Sequence, residues 1–138
     1  MAGERVKGKQ VPAQDLARHA ANLALDKKGE AIDILDLRRF DIGCEFFVIV
    51  SGTAEPHVRA ISEWIEDEMR SRYGARPWHR EGLSQARWIL LDYVDLVVHV
   101  FHQEAREYYR LERLWGDAPR ESIVQPEVSD AREQGGLE

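Results

Sequence analysis

The stretch Trp88-Ile-Leu-Leu-Asp-Tyr-Val-Asp-Leu-Val-Val-His-Val-Phe101 constrains the fold of this chain more than any other segment. Two apolar runs flank the acidic groups Asp92 and Asp95. Residues 88–91 read as one strand, Asp92 to Asp95 as a tight turn, and 96–101 as the returning strand. His99 is the only polar residue in that second run. A strand so apolar is covered on both faces, by its own chain or by a partner. A helical segment follows and ends in Arg106-Glu-Tyr-Tyr-Arg-Leu-Glu-Arg-Leu-Trp115. A buried hairpin feeding an aromatic-rich helix, with neither a nucleophile nor a glycine-rich loop, suits a surface that holds another macromolecule.

The chain has 138 residues, 43% of them hydrophobic, which fits one domain with a real core. Its net charge of −6 argues against coating nucleic acid through phosphate contacts, and no direct sequence-specific nucleic-acid partner is expected. An acidic surface suits a basic protein partner, and also keeps a protein soluble. The single cysteine, Cys44, fits a reducing compartment. No apolar run reaches the ~18 residues that span a bilayer, and Met1 to Val11 lacks the apolar core of a secretory signal. A cytoplasmic protein with no membrane partner is expected.

Residues 1–12 read as a mobile N-terminal tail, 13–118 as the domain, and 119–138 as an acidic, disordered C-terminal tail. A helix is expected from Ala13 to Lys28, stopped by Gly29. Ala31 to Leu37 and Phe46 to Val50 read as strands. A helix from about Ala54 to Tyr73 carries the apolar stripe Val58, Ile61, Ile65 and Met69, with Pro56 in its first turn and Gly74 at its end. Arg76 to His79 reads as a short edge strand because of Pro77. The order α-β-β-α-β-β-β-α implies an α/β fold, a mixed sheet of about five strands flanked by helices. In the last helix Tyr108, Leu111 and Trp115 share a stripe and are expected to pack inward, with Tyr109 off it.

Most candidate chemistry reads as structural. Asp92 and Asp95 flank a turn, where aspartate bonds the backbone. His99 and His102 are three apart on a strand and its end, so they face opposite ways and make no metal pair. His99 either belongs to the interior or lines a partner surface. Cys44 has no recognisable triad partner. Trp88 and Leu90 alternate together and are candidates to face outward, where aromatic and aliphatic groups rimmed by acid serve interfaces. No catalytic residue, cofactor or metal site is assigned.

The words W-x-L-L-D-Y-x-D-x-V-V-H-V-F and R-x-Y-Y-x-L-E-x-L-W resemble the ribosomal silencing factor, or Iojap-like, family. Phe46-Phe-Val-Ile-Val-Ser-Gly-Thr53, His57-Val58-x-Ala60-Ile61 and Glu81-Gly82 match it in the same order, so the resemblance spans about residues 13 to 118. It implies a sheet with flanking helices similar to nucleotidyltransferases. It implies a translation repressor that binds the large ribosomal subunit through ribosomal protein uL14 and sterically blocks small-subunit joining when nutrients are short. It also implies a homodimer when free, and no turnover. Trp88, Leu90, Asp92, Tyr93, Val97, His99 and Phe101 fall on the family's hairpin motif and are the expected contacts. Two positions depart from the family. Val94 stands where it usually has glycine, and Ala86-Arg87 lacks a usual glycine. The alternative function is a nucleotidyltransferase-like enzyme using Ser51-Gly52-Thr53 as an anion cradle. The paired acids that would hold Mg²⁺ there are missing, since Glu55 is followed by Pro56.

Overall fold

The structure, a computed structural model, describes residues 11–125. The elements run α1 (Ala13–Asp26), β1 (Glu30–Asp36), a 3₁₀ turn (Arg38–Phe40), β2 (Phe46–Gly52), α2 (Glu55–Tyr73), β3 (His79–Glu81), β4 (Trp88–Asp92), β5 (Leu96–His102), α3 (Gln103–Tyr109), α4 (Leu111–Leu114) and β6 (Arg120–Ile123). They form one six-stranded sheet in the order β3-β4-β5-β2-β1-β6. Only β2 and β5 pair in parallel; the other neighbours are antiparallel. The mixed α/β architecture agrees with the sequence reading.

Helices α1 and α2 cover one face. Val58, Ile61, Ile65 and Met69 are the buried apolar residues of α2, as the stripe requires, and they meet Val48, Val50, Ile89, Leu91, Val98 and Val100. Gly74 ends α2 at φ 67, where it satisfies the last turn by donating to the Arg70 carbonyl. Alternation along β4 and β5 sends the remaining residues to the second face. There a smaller core of Leu35, Leu37, Ile49, Phe101, Ala105 and Ala118 lies beneath Phe47, Trp88, Leu111 and Trp115.

Three expectations change. The sheet has six strands rather than five, because Arg120–Ile123 pairs with β1 where a disordered tail was expected to begin. Ser122 donates to Asp33, Arg18 pairs with Glu121, and Ile123 packs on the main core. Residues 1–10 and 126–138, which hold most of the expected tails, lie outside the described residues. The final helix breaks at Arg110, which adopts φ 48. The break resets the helical phase, so Tyr108 is 80% exposed instead of packing inward, while Leu111 and Trp115 do pack on the second core. The edge strand expected over Arg76 to His79 forms instead at His79–Glu81.

Candidate interaction face

Trp88, Leu90 and Asp92 lie on one side of β4, opposite Phe101, His99 and Val97 of β5. All six therefore share the second face. The members differ in depth. Trp88, Leu90 and Asp92 are half-buried, while Val97, His99 and Phe101 are buried. The inner three support the face from below. Tyr93 lies past the end of β4 and packs toward the helix-covered core, with its hydroxyl buried and unpartnered. Burial, with the Glu66 charge adding, pushes that phenol well above its ordinary range.

The face is built around Trp88. Its ring stacks on Phe101 at 4.7 Å and meets Tyr109 at 5.0 Å. Tyr109 in turn meets Tyr108 edge-on at 5.0 Å. An aromatic ladder thus climbs from the core to solvent, where Tyr109 is 54% exposed. Helical periodicity placed Tyr108 inward, whereas Tyr109 lay off the apolar stripe. On the other flank the edge strand β3 sets Glu81 opposite Leu90 and His79 opposite Asp92, so both join the same face. His79 Nε2 lies 2.7 Å from Glu81 Oε2. The result is a stripe of Trp88, Leu90 and Tyr109 rimmed by Glu81 and Asp92, the arrangement of an apolar interface centre with a charged border.

His99 fixes the central indole. Trp88 Nε1 donates to His99 Nδ1 at 3.0 Å, which puts the imidazole proton on the buried Nε2. Phe47 packs edge-on against the same ring at 4.5 Å. Burial holds the pKa of His99 down at about 3, with the Glu112 charge opposing. The unfolded ring binds its proton near pH 6.5, so acidification below that value favours the unfolded chain, and the loss continues until the folded value is reached. Between pH 6.5 and 5 the fold should lose about 1.6 kcal/mol from this group, the slope steepening toward about 1.4 kcal/mol per pH unit as the unfolded ring fills with protons. Asp36 and Glu112 have lowered pKa values and add their own loss only below the ordinary carboxylate range. Melting temperatures at pH 7 and pH 5 check this: His99→Gln, which still offers an acceptor to Trp88, should flatten the dependence. An undiminished slope in that variant would assign it elsewhere.

The other sequence candidates hold structural positions. Ser51 Oγ accepts from Arg106 Nη1 at 3.0 Å, in a buried cluster where Arg106 also donates to Asp33 and Glu112. His102 Nδ1 accepts from Glu104 N and caps α3. Burial, joined by the charges of Asp92, Asp95 and Glu45, pushes the Cys44 thiol up to about 11, which keeps it protonated and unreactive. Among the described residues, no group of three or more His, Cys, Asp or Glu side chains converges as a metal site. No helix there is long and apolar enough to cross a membrane.

Residues 10–136 match the profile of a family described as ribosomal silencing factor during starvation. The chain is 42% identical over 106 residues to ribosomal silencing factor RsfS of Halalkalibacterium halodurans, covering 77% of this chain and 90% of that protein. The Bacillus subtilis protein of the same name is 40% identical over 106 residues, covering 77% of this chain and 89% of its own length. Among solved structures, a Chromobacterium violaceum protein aligns with a TM-score of 0.74 at 26% identity, over 83% of this chain and 95% of its own. A Bacillus halodurans protein aligns at 0.69 and 37% identity, over 80% and 99%.

Proposed function

The chain belongs to the ribosomal silencing factor family, and from that membership we propose that it represses translation by docking on the large ribosomal subunit. The docking partner is ribosomal protein uL14, and the bulk of the bound domain blocks the small subunit from joining. The repression is steric, needs no cofactor, and operates in the cytoplasm when nutrients are scarce. The same face closes a homodimer when the protein is free.

One observation carries this reading: the stripe of Trp88, Leu90 and Tyr109 leaves apolar surface open on a sheet whose other face is sealed by two helices. Its acidic rim speeds encounter with a basic protein, while the apolar centre supplies most of the affinity. Val97, His99 and Phe101 hold the centre level, and Asp92 borders it.

Co-sedimentation with isolated large subunits, followed by addition of small subunits, tests the proposal. The wild type should pellet with large subunits and lower the yield of joined ribosomes. Leu90→Arg places a cation against a basic partner, and Tyr109→Ala removes an exposed anchor; each should weaken binding about tenfold or more. Both positions are partly exposed, so melting temperatures should stay near wild type. Unchanged pelleting in both variants would move the interface away from this face. A wild type that stays in the supernatant would end the ribosomal reading itself.

A further inference from the structure

Val94 is the most strained residue of the hairpin. It occupies φ 78, in the left-handed region that β-branched residues avoid. The cause is the tightness of the turn. Asp95 N donates to the Tyr93 carbonyl at 3.0 Å, an i→i+2 bond that closes directly over Val94. A γ-turn of positive φ is rare and strained for an L-residue. Two further bonds hold the turn shut: Val94 N donates to Asp92 Oδ1 at 2.8 Å, and Tyr93 N to the Leu96 carbonyl at 2.7 Å. Glycine would take this conformation at little cost.

The side chain does nothing for the fold in return. Val94 is 54% exposed and belongs to neither core cluster. Strain without a packing return is concentrated at functional sites. The surroundings point to an occupant. Asp92 and Asp95 flank the valine, Glu45 N is bonded to the Asp95 carbonyl, and Trp78, 71% exposed, donates its N–H to the Asp92 carbonyl at the same end of the sheet. An apolar knob in an acidic collar fits a basic protein surface with a shallow apolar depression. Asp92 joins the collar to the stripe of Trp88 and Leu90.

We propose that Val94 is a specificity-determining contact, held in an unfavourable backbone conformation so that its isopropyl group enters the large-subunit protein that the sheet face docks on. This rests on the ribosomal reading above and assigns the hairpin tip a role in it. Stability and binding should therefore move in opposite directions when the side chain is removed.

The test compares wild type, Val94→Gly and Val94→Ala in thermal melting and in titration of fluorescently labelled protein with purified large subunits. Val94→Gly should melt about 3 °C higher, since the strain is relieved. It should bind about tenfold more weakly. Val94→Ala keeps a Cβ in the strained backbone but loses both γ-carbons, so it should bind more weakly with a smaller gain in melting temperature than Val94→Gly. Wild-type affinity in both variants, with Leu90→Arg still impaired, would overturn the role of Val94 and leave the face intact. Loss of binding in Val94→Ala but not in Val94→Gly would also overturn it, because turn shape rather than the side chain would then matter. No binding by the wild type would remove the ribosomal reading and this inference with it.

Discussion

Arg106→Leu is expected to destabilise the domain by about 3 kcal/mol, and to lower its melting temperature by ~10 °C. Arg106 is 9% exposed and its three guanidinium nitrogens reach across the fold. Nε donates to Glu112 at 2.8 Å, Nη1 to Ser51 Oγ and to the Ala31 carbonyl, and Nη2 to Asp33 at 3.0 Å. Ser122 of β6 completes the cluster by donating to the other Asp33 oxygen at 2.7 Å. One side chain thus ties β1, β2, α3, α4 and, through Asp33, β6. Burial pushes Glu112 upward, but backbone hydrogen bonding and Arg106 outweigh it and hold the carboxyl below its usual range. Leucine fills similar space and leaves two carboxylates facing each other in a poorly hydrated site. The cost comes from the stranded charge, so Arg106→Leu combined with Asp33→Asn should recover part of the loss. A fall of less than 2 °C in the single variant, or no recovery in the double, would refute this account.

Gly82→Ala is expected to cost about as much, ~3 kcal/mol, and to impair binding as well. Gly82 adopts φ 83, and a Cβ there would overlap the backbone carbonyl of Trp88. The loop has no slack to absorb the shift, because Ala86 N donates to the Gly82 carbonyl at 3.0 Å and His102 N to the Arg87 carbonyl at 2.8 Å. Either the loop opens or Trp88 moves off Phe101. The urea midpoint should drop, and co-sedimentation should weaken beyond what partial unfolding explains. A variant with wild-type stability would show that the approach of these two backbones is not tight.

How much of this was legible depended on how local the cause is. The hairpin, both long helices and the first two strands follow from periodicity, turn residues and Gly74, all properties of neighbouring residues. Arg120-Glu-Ser-Ile123 could not be recognised as a strand, because it has no apolar alternation; it is a strand only because β1 offers it a free edge and Asp33 offers a partner. The break at Arg110 was hidden too, since arginine carries no signal for φ 48. The reach of Arg106 to residues 55 to 75 positions away has no sequence signature. In the candidate face, strand alternation grouped Trp88 with Leu90, while Asp92, read as a turn residue, closes the same side of β4. Depth was not readable from alternation alone: Val97, His99 and Phe101 stand beneath the surface, and Tyr108 emerges only once the helix break is known.

The strand order sets α1 and β6 at the sheet edge remote from β3 and β4. β6 and the first turns of α1 meet at one edge of the sheet, joined by the 2.8 Å pair of Arg18 and Glu121, whereas β3 and β4 form the opposite edge. Strands spaced about 4.8 Å apart put the two edges roughly 24 Å from each other. A fluorophore placed at the edge of α1 and β6 would therefore sit across the sheet from the proposed contacts on β4, and would report on their docking without competing for it.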